Sequence, residues 1–422
     1  MSSNHGHGHD VDLKHVDKSL FYVHAPRLQA FAAVLLVLGL IAMGVGFFRH
    51  EGPRVWASLI FNNFFFFCLG LGGMILSTCT DVISATWHRP IRRIQEAFGA
   101  YVPVAAVLFF ILVIAIIFNL GDAKTVYRWI DHPEMLHHFW GKRSWLVPNF
   151  FYIRVVLFLL MLSGLVIFQL KKTTTRDRLW MEGRYDEAET YADEYRVKSR
   201  FWSAPSLVIF GVVFTFLAFD VTMSLAPTWL STLWGGWSFA VMMQTLMAAT
   251  LIAMFSLRDH KIGSFWKRQQ FHDIGKLMHG FTVFFAYLTF AHVLTYWYGN
   301  MPEETEYFME RLHSPWVYGL FAVFFLGFVI PLYSLIPARA KWTAGWTLPV
   351  AGIILLAQWI TNLILVMPEV IKVDQMSVPY VEVGGFFMVF GLFMTTFLTF
   401  AKKVPMLPVA DPLLHEALSG GH

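Results

Sequence analysis

The chain is a series of long apolar runs separated by short polar connectors. An α-helix needs about twenty apolar residues to cross the hydrocarbon core of a bilayer, and a window of that length finds ten such runs. They occupy residues 28–48, 55–83, 98–118, 147–170, 204–223, 233–257, 277–297, 316–336, 345–366 and 381–401. The pattern predicts an all-α integral membrane protein with ten transmembrane helices, called spans one to ten below.

The connectors alternate in their content of Lys and Arg. The two tails and the connectors after spans two, four, six and eight hold 23 of these residues, whereas the other connectors hold 8. Cytoplasmic connectors of membrane proteins are enriched in Lys and Arg, so both termini are predicted to be cytoplasmic. The largest cytoplasmic loop, 171–201, is expected to form a short polar helix pair at the membrane surface.

Both ends of the chain are polar. Residues 1–27 have no apolar run of their own and contain "HGHGH". We interpret them as a disordered cytoplasmic tail, and not as a signal peptide or a metal site. Residues 402–422 are interpreted as a second cytoplasmic tail.

Composition narrows the class of protein. Of the 422 residues, 56% are hydrophobic and 14% are charged, against about 25% charged in a typical soluble domain. The net charge of +4 is spread over short connectors, which argues against a nucleic-acid partner.

The two cysteines, Cys68 and Cys79, lie on one predicted helix about 16 Å apart at 1.5 Å per residue. They cannot pair with each other, and two thiols do not supply an iron–sulfur cluster.

Polar side chains within the spans are the candidate functional residues, because such groups are costly in hydrocarbon. Asp81 and His279 lie near the cytoplasmic face, and Gln244 lies at mid-depth. The outer half of the membrane holds the other five, which are Arg154, Asp220, His292, Gln358 and Asn362. Neither the inner nor the outer group crosses the membrane alone, so together they predict a split proton path. Histidine suits such a relay because its pKa of about 6.5 is close to neutrality. A purely structural contact between helices is the alternative for each of these residues. Arg154 and Asp220 have opposite charge and similar depth, and we expect each to be the other's partner.

The histidines of span seven do not form a haem site. A membrane haem with two imidazole ligands needs histidines that face each other from two helices. His279 and His292 are thirteen residues apart, or about 220° around a helix of 3.6 residues per turn. The other histidines, His88 among them, fall in tails or loops. The sequence therefore predicts no haem, metal or flavin in this chain.

Several long motifs resemble a known family. They are "HDIGKL", "FTVFFAYLTFAHVLTYWYGNMPEETEYF", "LAFDVTMSLAPTWLSTLWG" and "LGLGGMILSTCTDVISATWHRPIRR". Together they are similar to the NrfD-like family of polysulfide reductase membrane subunits, over residues 28–403. The similarity is closest to the ActF type, the smaller of the two such subunits in bacterial alternative complex III, a quinol:cytochrome c oxidoreductase.

The resemblance implies an architecture and a setting. It implies a four-helix bundle of spans two to five (55–223), a second of spans six to nine (233–366), and flanking helices 28–48 and 381–401. It also implies a respiratory complex in the bacterial plasma membrane that oxidises menaquinol or ubiquinol. The expected partners are a second, quinol-binding NrfD-like subunit, an iron–sulfur subunit and multihaem cytochrome c subunits. Haem c and iron–sulfur clusters would belong to those partners.

One departure from the family bears on chemistry. In the larger NrfD-like subunit, a histidine after Gly-x-Gly and an acidic residue later in the first bundle are associated with quinol binding. Here "GLGGM" places Gly73 at the histidine position, and the acidic position falls near Arg154. Glycine has no group that accepts the quinol proton, and arginine stays protonated. We therefore expect no reactive quinol site in this chain.

Two other functions remain open from the sequence. A quinone-binding catalytic subunit is one, and a secondary transporter of ten spans with repeated bundles is the other. A transporter would have Gly- or Pro-broken helices at corresponding places in its two halves. Pro331 in span eight has no evident counterpart.

Overall fold

The ten apolar runs are ten helical crossings. The computed structural model describes residues 17–136, 140–371 and 378–419, in which no residue lies in a β-strand. Ten of its helical segments are long and apolar enough to cross a membrane, which confirms the predicted fold class. The "HGHGH" motif lies outside the described residues.

The crossings have the following bounds. Spans one to five are α1 (Pro26–Phe48), α2 (Gly52–Val82), α3 with α4 (Arg92–Gly99, Val102–Phe118), α6 (Pro148–Met181) and α7 (Tyr185–Val221). Spans six to ten are α8 (Trp234–Ser256), α9 (Arg268–Gly299), α11 with α12 (Trp316–Ala322, Ile330–Ser334), α13 (Ala344–Val370) and α14 (Tyr380–Lys403). Three short helices lie outside the crossings: α5 (Trp140–Trp145), α10 (Pro302–Leu312) and α15 (Pro412–Ser419).

Helix α2 lies at the centre of the molecule. It packs against six other helices: α3, α4, α7, α8, α13 and α14. Its most apolar stretch is entirely buried within the protein, which is why this helix is hydrophobic all round. The core of the molecule therefore surrounds α2, and α2 contacts helices of both predicted bundles.

The first and last crossings pair with each other. Helices α1 and α14 have the most extensive contact of any two elements. A methyl group added at Gly39 would overlap the backbone of Met388, and one added at Gly384 would overlap Ala42. Small residues at these positions let two membrane helices approach closely. One face of α1 remains exposed and apolar, as expected for a helix at the lipid boundary.

The polar loop 171–201 is not a separate helix pair. Helix α6 continues from the membrane to Met181, and α7 begins at Tyr185 after a three-residue turn. Gly183 in this turn has a φ of +83°, a conformation that glycine adopts without strain. The loop is thus a pair of helical segments, as predicted, but these segments are the ends of two transmembrane helices. The sequence window missed this because hydropathy marks where apolar character ends and not where a helix ends.

Both described ends of the chain lie on one face of the molecule, called the terminal face below. The backbone N–H of Met406 donates to the carbonyl of Phe21 at 2.7 Å. Phe21 is fully buried and packs with Leu407 and Leu414. The predicted C-terminal tail is therefore docked, because its apolar side chains complete a small second core. The other side of the molecule is called the opposite face.

Candidate functional site

Arg154 and Asp220 form a buried ion pair in the half of the membrane nearer the opposite face. The Nε and Nη2 atoms of Arg154 each lie 2.6 Å from a carboxylate oxygen of Asp220. Trp145 adds a third donor, with its Nε1 2.9 Å from Asp220 Oδ1. The Arg154 guanidinium also lies 3.8 Å from the centroid of the Trp145 ring. The predicted pairing is confirmed.

Trp145 was not predicted as part of this site. It lies on α5, in a connector for which the sequence predicted no role, yet it contacts both members of the pair. The "W" next to the start of span four was the only signal, and tryptophans are common at membrane interfaces. A single tryptophan there does not indicate a site.

His292 points into the protein at a similar depth. Its Nε2 lies 2.7 Å from the Ser231 hydroxyl, and it is buried among the rings of Trp229, Trp234 and Trp237. Ser231 belongs to the connector between α7 and α8, the connector that begins just after Asp220. Trp234, the first residue of α8, donates from its Nε1 to the hydroxyl of Thr222 in that connector at 2.9 Å. No hydrogen bond among the described residues joins Asp220 directly to His292, so a proton passing between them would need intervening hydroxyls or water.

Lys142 holds the same connector in place. Its ammonium is buried and donates to the carbonyls of Ala226, Pro227 and Trp229. Burial lowers the pKa of Lys142 to about 8, because loss of water disfavours the charged form. Lys142 therefore positions the segment that carries Ser231, although the sequence marked it only as a basic loop residue.

A cluster of amides lies in the middle of the membrane between α8, α13 and span eight. Gln358 is therefore at mid-depth with Gln244 and not in the outer half as predicted. Gln358 Nε2 donates to Gln244 Oε1 at 2.5 Å, and Asn362 Nδ2 donates to the Gln358 carbonyl at 2.8 Å. Gln244 Nε2 in turn donates to Thr282 Oγ1 at 3.0 Å and to the Gly327 carbonyl at 2.8 Å. Gln358 Oε1 is buried and accepts no hydrogen bond from the described residues, so the cluster has one acceptor to offer to water.

Span eight supplies the unusual carbonyl in this cluster. Residues Val323–Val329 form a π-helical segment between α11 and α12. Pro331 has no N–H, so it cannot bond the carbonyl four residues earlier, which is that of Gly327. Gln244 takes the place of the missing donor. Irregular helical backbone at membrane depth is stable when a neighbouring side chain satisfies it in this way.

Asp81 and His279 share a depth near the terminal face but not a site. Asp81 lies in α2 and receives hydrogen bonds from Arg89, Arg92 and the Tyr195 hydroxyl. His279 lies in α9, is half-buried, and its Nδ1 has no hydrogen-bond partner among the described residues. No ion pair or hydrogen bond in the described chain joins the two residues.

Asp81 belongs to a buried network that sequence reasoning missed. Four arginines and four carboxylates pack together behind the terminal face: Arg89, Arg92, Arg93, Arg176, Asp81, Glu96, Asp177 and Asp411. In the sequence analysis these arginines were counted only among the cytoplasmic Lys and Arg residues. The i,i+3 and i,i+4 spacing of Arg93 and Arg92 from Glu96 was the available signal, but Asp177 and Asp411 are too distant in sequence to be linked by spacing.

His88 is fully buried beside this network. Its Nδ1 lies 3.0 Å from the Thr80 hydroxyl, and its Nε2 lies 2.5 Å from Gln95 Oε1. The sequence placed it correctly in a loop, between α2 and α3. Its burial was not predicted, because the loop folds back under the helices.

Gly73 is held tightly against α3. A Cβ atom at this position would lie 2.5 Å from the Gln95 carbonyl oxygen, a distance that real Cβ contacts do not reach. A histidine therefore does not fit at position 73 with this backbone. Gly73, which the sequence analysis predicted to replace a quinol-associated histidine, is here a helix–helix contact.

No family model and no curated protein sequence matches the chain. The described residues contain no group of three or more His, Cys, Asp or Glu side chains that could hold a metal ion. That the redox centres lie in partner subunits stays a prediction.

Proposed function

We propose that this multi-pass membrane protein is a subunit of a respiratory quinol:electron-acceptor oxidoreductase of the alternative complex III type. In this proposal it contributes a proton path and a docking surface, and not the reactive quinol site. The observation that carries the proposal is the Arg154–Asp220 pair. It is a buried, bidentate ion pair between residues that are 66 positions apart in the sequence. Charges at membrane depth are rare and usually functional.

The proton path uses polar groups at three depths. Asp81 and its arginine network lie nearest the terminal face, the Gln244–Gln358 amide cluster lies in the middle, and His292 with Asp220 lies toward the opposite face. The amide cluster separates the two half-paths, since amides orient water but do not titrate. The orphaned Gln358 Oε1 provides a position for such a water molecule.

The orientation and the setting belong to the same proposal. The bias of 23 to 8 in Lys and Arg supports a cytoplasmic terminal face in the bacterial plasma membrane. Asp81 then faces the cytoplasm, and Asp220 and His292 face the other side. Acidic helix α10, on the opposite face, supports docking of partner subunits that carry haem c and iron–sulfur clusters.

Co-purification tests the assignment to a complex. The full chain with an affinity tag, expressed in its own host at native level, should retain multihaem cytochrome, iron–sulfur and second NrfD-like polypeptides after gentle detergent extraction. The haem absorbance should follow the tag through size exclusion. A chain that elutes alone, with the host's cytochromes in other fractions, would contradict the assignment.

One observation favours a second candidate, a secondary transporter. Span eight is interrupted at mid-membrane by a π-helical segment and Pro331, and broken helices form ion sites in transporters. The corresponding third helix of the first predicted bundle is α6, which is a continuous α-helix of 34 residues. Since transporters with repeated halves break both equivalent helices, this candidate is the weaker one.

A further inference from the structure

A cavity opens at the opposite face between α9, α10 and the helices of spans eight and nine. Its volume is about 620 Å³, within the range of about 300–1,000 Å³ that is usual for small-molecule sites. Its deep wall contains Trp229, Trp234 and His292, and its mouth contains Trp297 and Leu312. Trp297 is 77% exposed and Leu312 is 53% exposed, so the cavity opens sideways at the edge of the helix bundle.

One residue of the cavity wall carries a hydrogen-bond donor that has no partner among the described residues. Trp229 is 1% exposed, and its Nε1 has no partner among the described residues. A buried N–H without an acceptor is destabilising, because it has lost its hydrogen bond to water. The Trp229 ring is fixed by stacking on Tyr307 with centroids 4.0 Å apart, so the donor cannot easily turn to another partner. An occupant with a carbonyl oxygen would satisfy it.

The charges around the cavity restrict the occupant. Among the described residues that line it, only Arg311 is charged, and Arg311 is paired with Glu369 at 2.9 Å. The mouth lies beside α10, on which Glu306 and Glu310 are exposed. The interior thus suits a neutral apolar chain, and the rim suits a cationic group more than an anionic one.

We propose that this cavity binds a zwitterionic phospholipid with an ammonium head group, of the phosphatidylethanolamine class. One acyl chain fills the aromatic interior, its ester carbonyl accepts from Trp229 Nε1, and the ammonium lies near the acidic face of α10. The depth agrees with this arrangement, because tryptophans gather where the lipid glycerol and head groups lie. The proposal does not depend on the respiratory role.

Native mass spectrometry of the delipidated full chain tests the proposal. Dioleoyl phosphatidylethanolamine should form a saturable one-to-one adduct at a lower concentration than dioleoyl phosphatidylglycerol does. Leu320→Trp places a ring in the cavity and should abolish this adduct. The matched control is Leu356→Trp, the same change in the wall of a different apolar cavity, which should retain the adduct.

A second variant keeps the test valid if Leu320→Trp does not fold. Trp229→Phe retains the aromatic ring but removes the N–H, and it should weaken the one-to-one adduct about fivefold, the factor for one net hydrogen bond. Equal binding of the two lipids, an equal effect of the two leucine variants, or an unchanged adduct in Trp229→Phe would each overturn the proposal. The proposal would also be overturned if the protein as isolated released a lipid that contains a ring system and no phospholipid.

Discussion

Arg154 and Asp220 hold each other in a buried site, with two hydrogen bonds of 2.6 Å between the guanidinium and the carboxylate. Charge and depth together predicted the Arg154–Asp220 pair, because each isolated charge would be costly in the membrane. The contact from Trp145 and the carbonyl cradle around Lys142 were not predictable, since both depend on how connectors fold over the helix ends. Gly73 was predicted to lack quinol chemistry, but its packing against Gln95 appears only in three dimensions.

At the residue scale, we predict that Asp220 depends on Arg154 for stability. Arg154→Met leaves the carboxylate buried with Trp145 as its remaining donor, so the variant should lose about 3–5 kcal/mol of stability. The double variant Arg154→Met with Asp220→Asn should regain part of this loss, because no unpaired charge remains. The apparent Tm in detergent measures both effects. A single variant as stable as the wild type would show that the pair is not buried as described.

At the element scale, hydropathy was enough to find all ten crossings, because each run of apolar residues marks a helix that meets lipid or core. It was not enough to find irregular backbone. Pro331 was visible in span eight, and Gln244 was visible at mid-depth in span six, but the hydrogen bond from Gln244 to the Gly327 carbonyl joins residues 83 positions apart. The extension of α6 and α7 beyond the membrane was also missed, since polar helices have no hydropathy signal.

The π-helical segment leads to a prediction of coupling between Gln244 and Pro331. Gln244→Leu leaves the Gly327 carbonyl without its donor and should cost about 1–3 kcal/mol. Pro331→Ala restores a backbone N–H that can bond this carbonyl, so Gln244→Leu should cost less in that background. A double-mutant cycle on the apparent Tm measures the coupling. Strictly additive effects would mean that Gln244 does not replace the missing backbone donor.

At the scale of the whole molecule, the C-terminal segment connects distant parts of the chain. Asp411 lies 3.3 Å from Arg89 and 3.2 Å from Arg176, and Arg89 also bonds Asp81. Lys267 at the start of α9 donates to the carbonyls of Ala417 and Leu418. The segment therefore joins helices of both predicted bundles, and it lies against the network that holds Asp81. The sequence analysis interpreted residues 402–422 as a polar tail, and their polarity did not indicate these contacts.

Docking of this segment should be insensitive to pH over the physiological range. Burial raises the pKa of Asp411, but Arg176, Arg89 and Arg92 lower it more, so its pKa lies below the usual value of 3.8. A carboxylate whose pKa is lowered by folding stabilises the folded state above its unfolded pKa, and this stability is lost as the pH falls through the folded value. Hydrogen–deuterium exchange of residues 404–418, corrected for intrinsic rates, should show equal protection at pH 8 and pH 5.

Asp411→Asn is the matching variant. Removing the charge leaves Arg89 and Arg176 less well paired in a buried site, which should cost up to about 3–5 kcal/mol of docking free energy. Protection of residues 404–418 should then fall at all pH values. Protection that is retained in the variant, or lost in the wild type between pH 8 and pH 5, would contradict the role assigned to Asp411.

Proton translocation by the reconstituted complex is the most direct test of the central claim. Asp220→Asn keeps the size of the side chain and removes its charge, and His292→Phe removes the titratable ring while preserving aromatic packing. Each should reduce the protons translocated per electron in proteoliposomes, while quinol oxidation in the presence of an uncoupler stays close to wild type. Asp122→Asn, the same change at an exposed position, should have no effect. If both Asp220→Asn and His292→Phe translocate protons as the wild type does, these residues are structural and the proposed path is wrong.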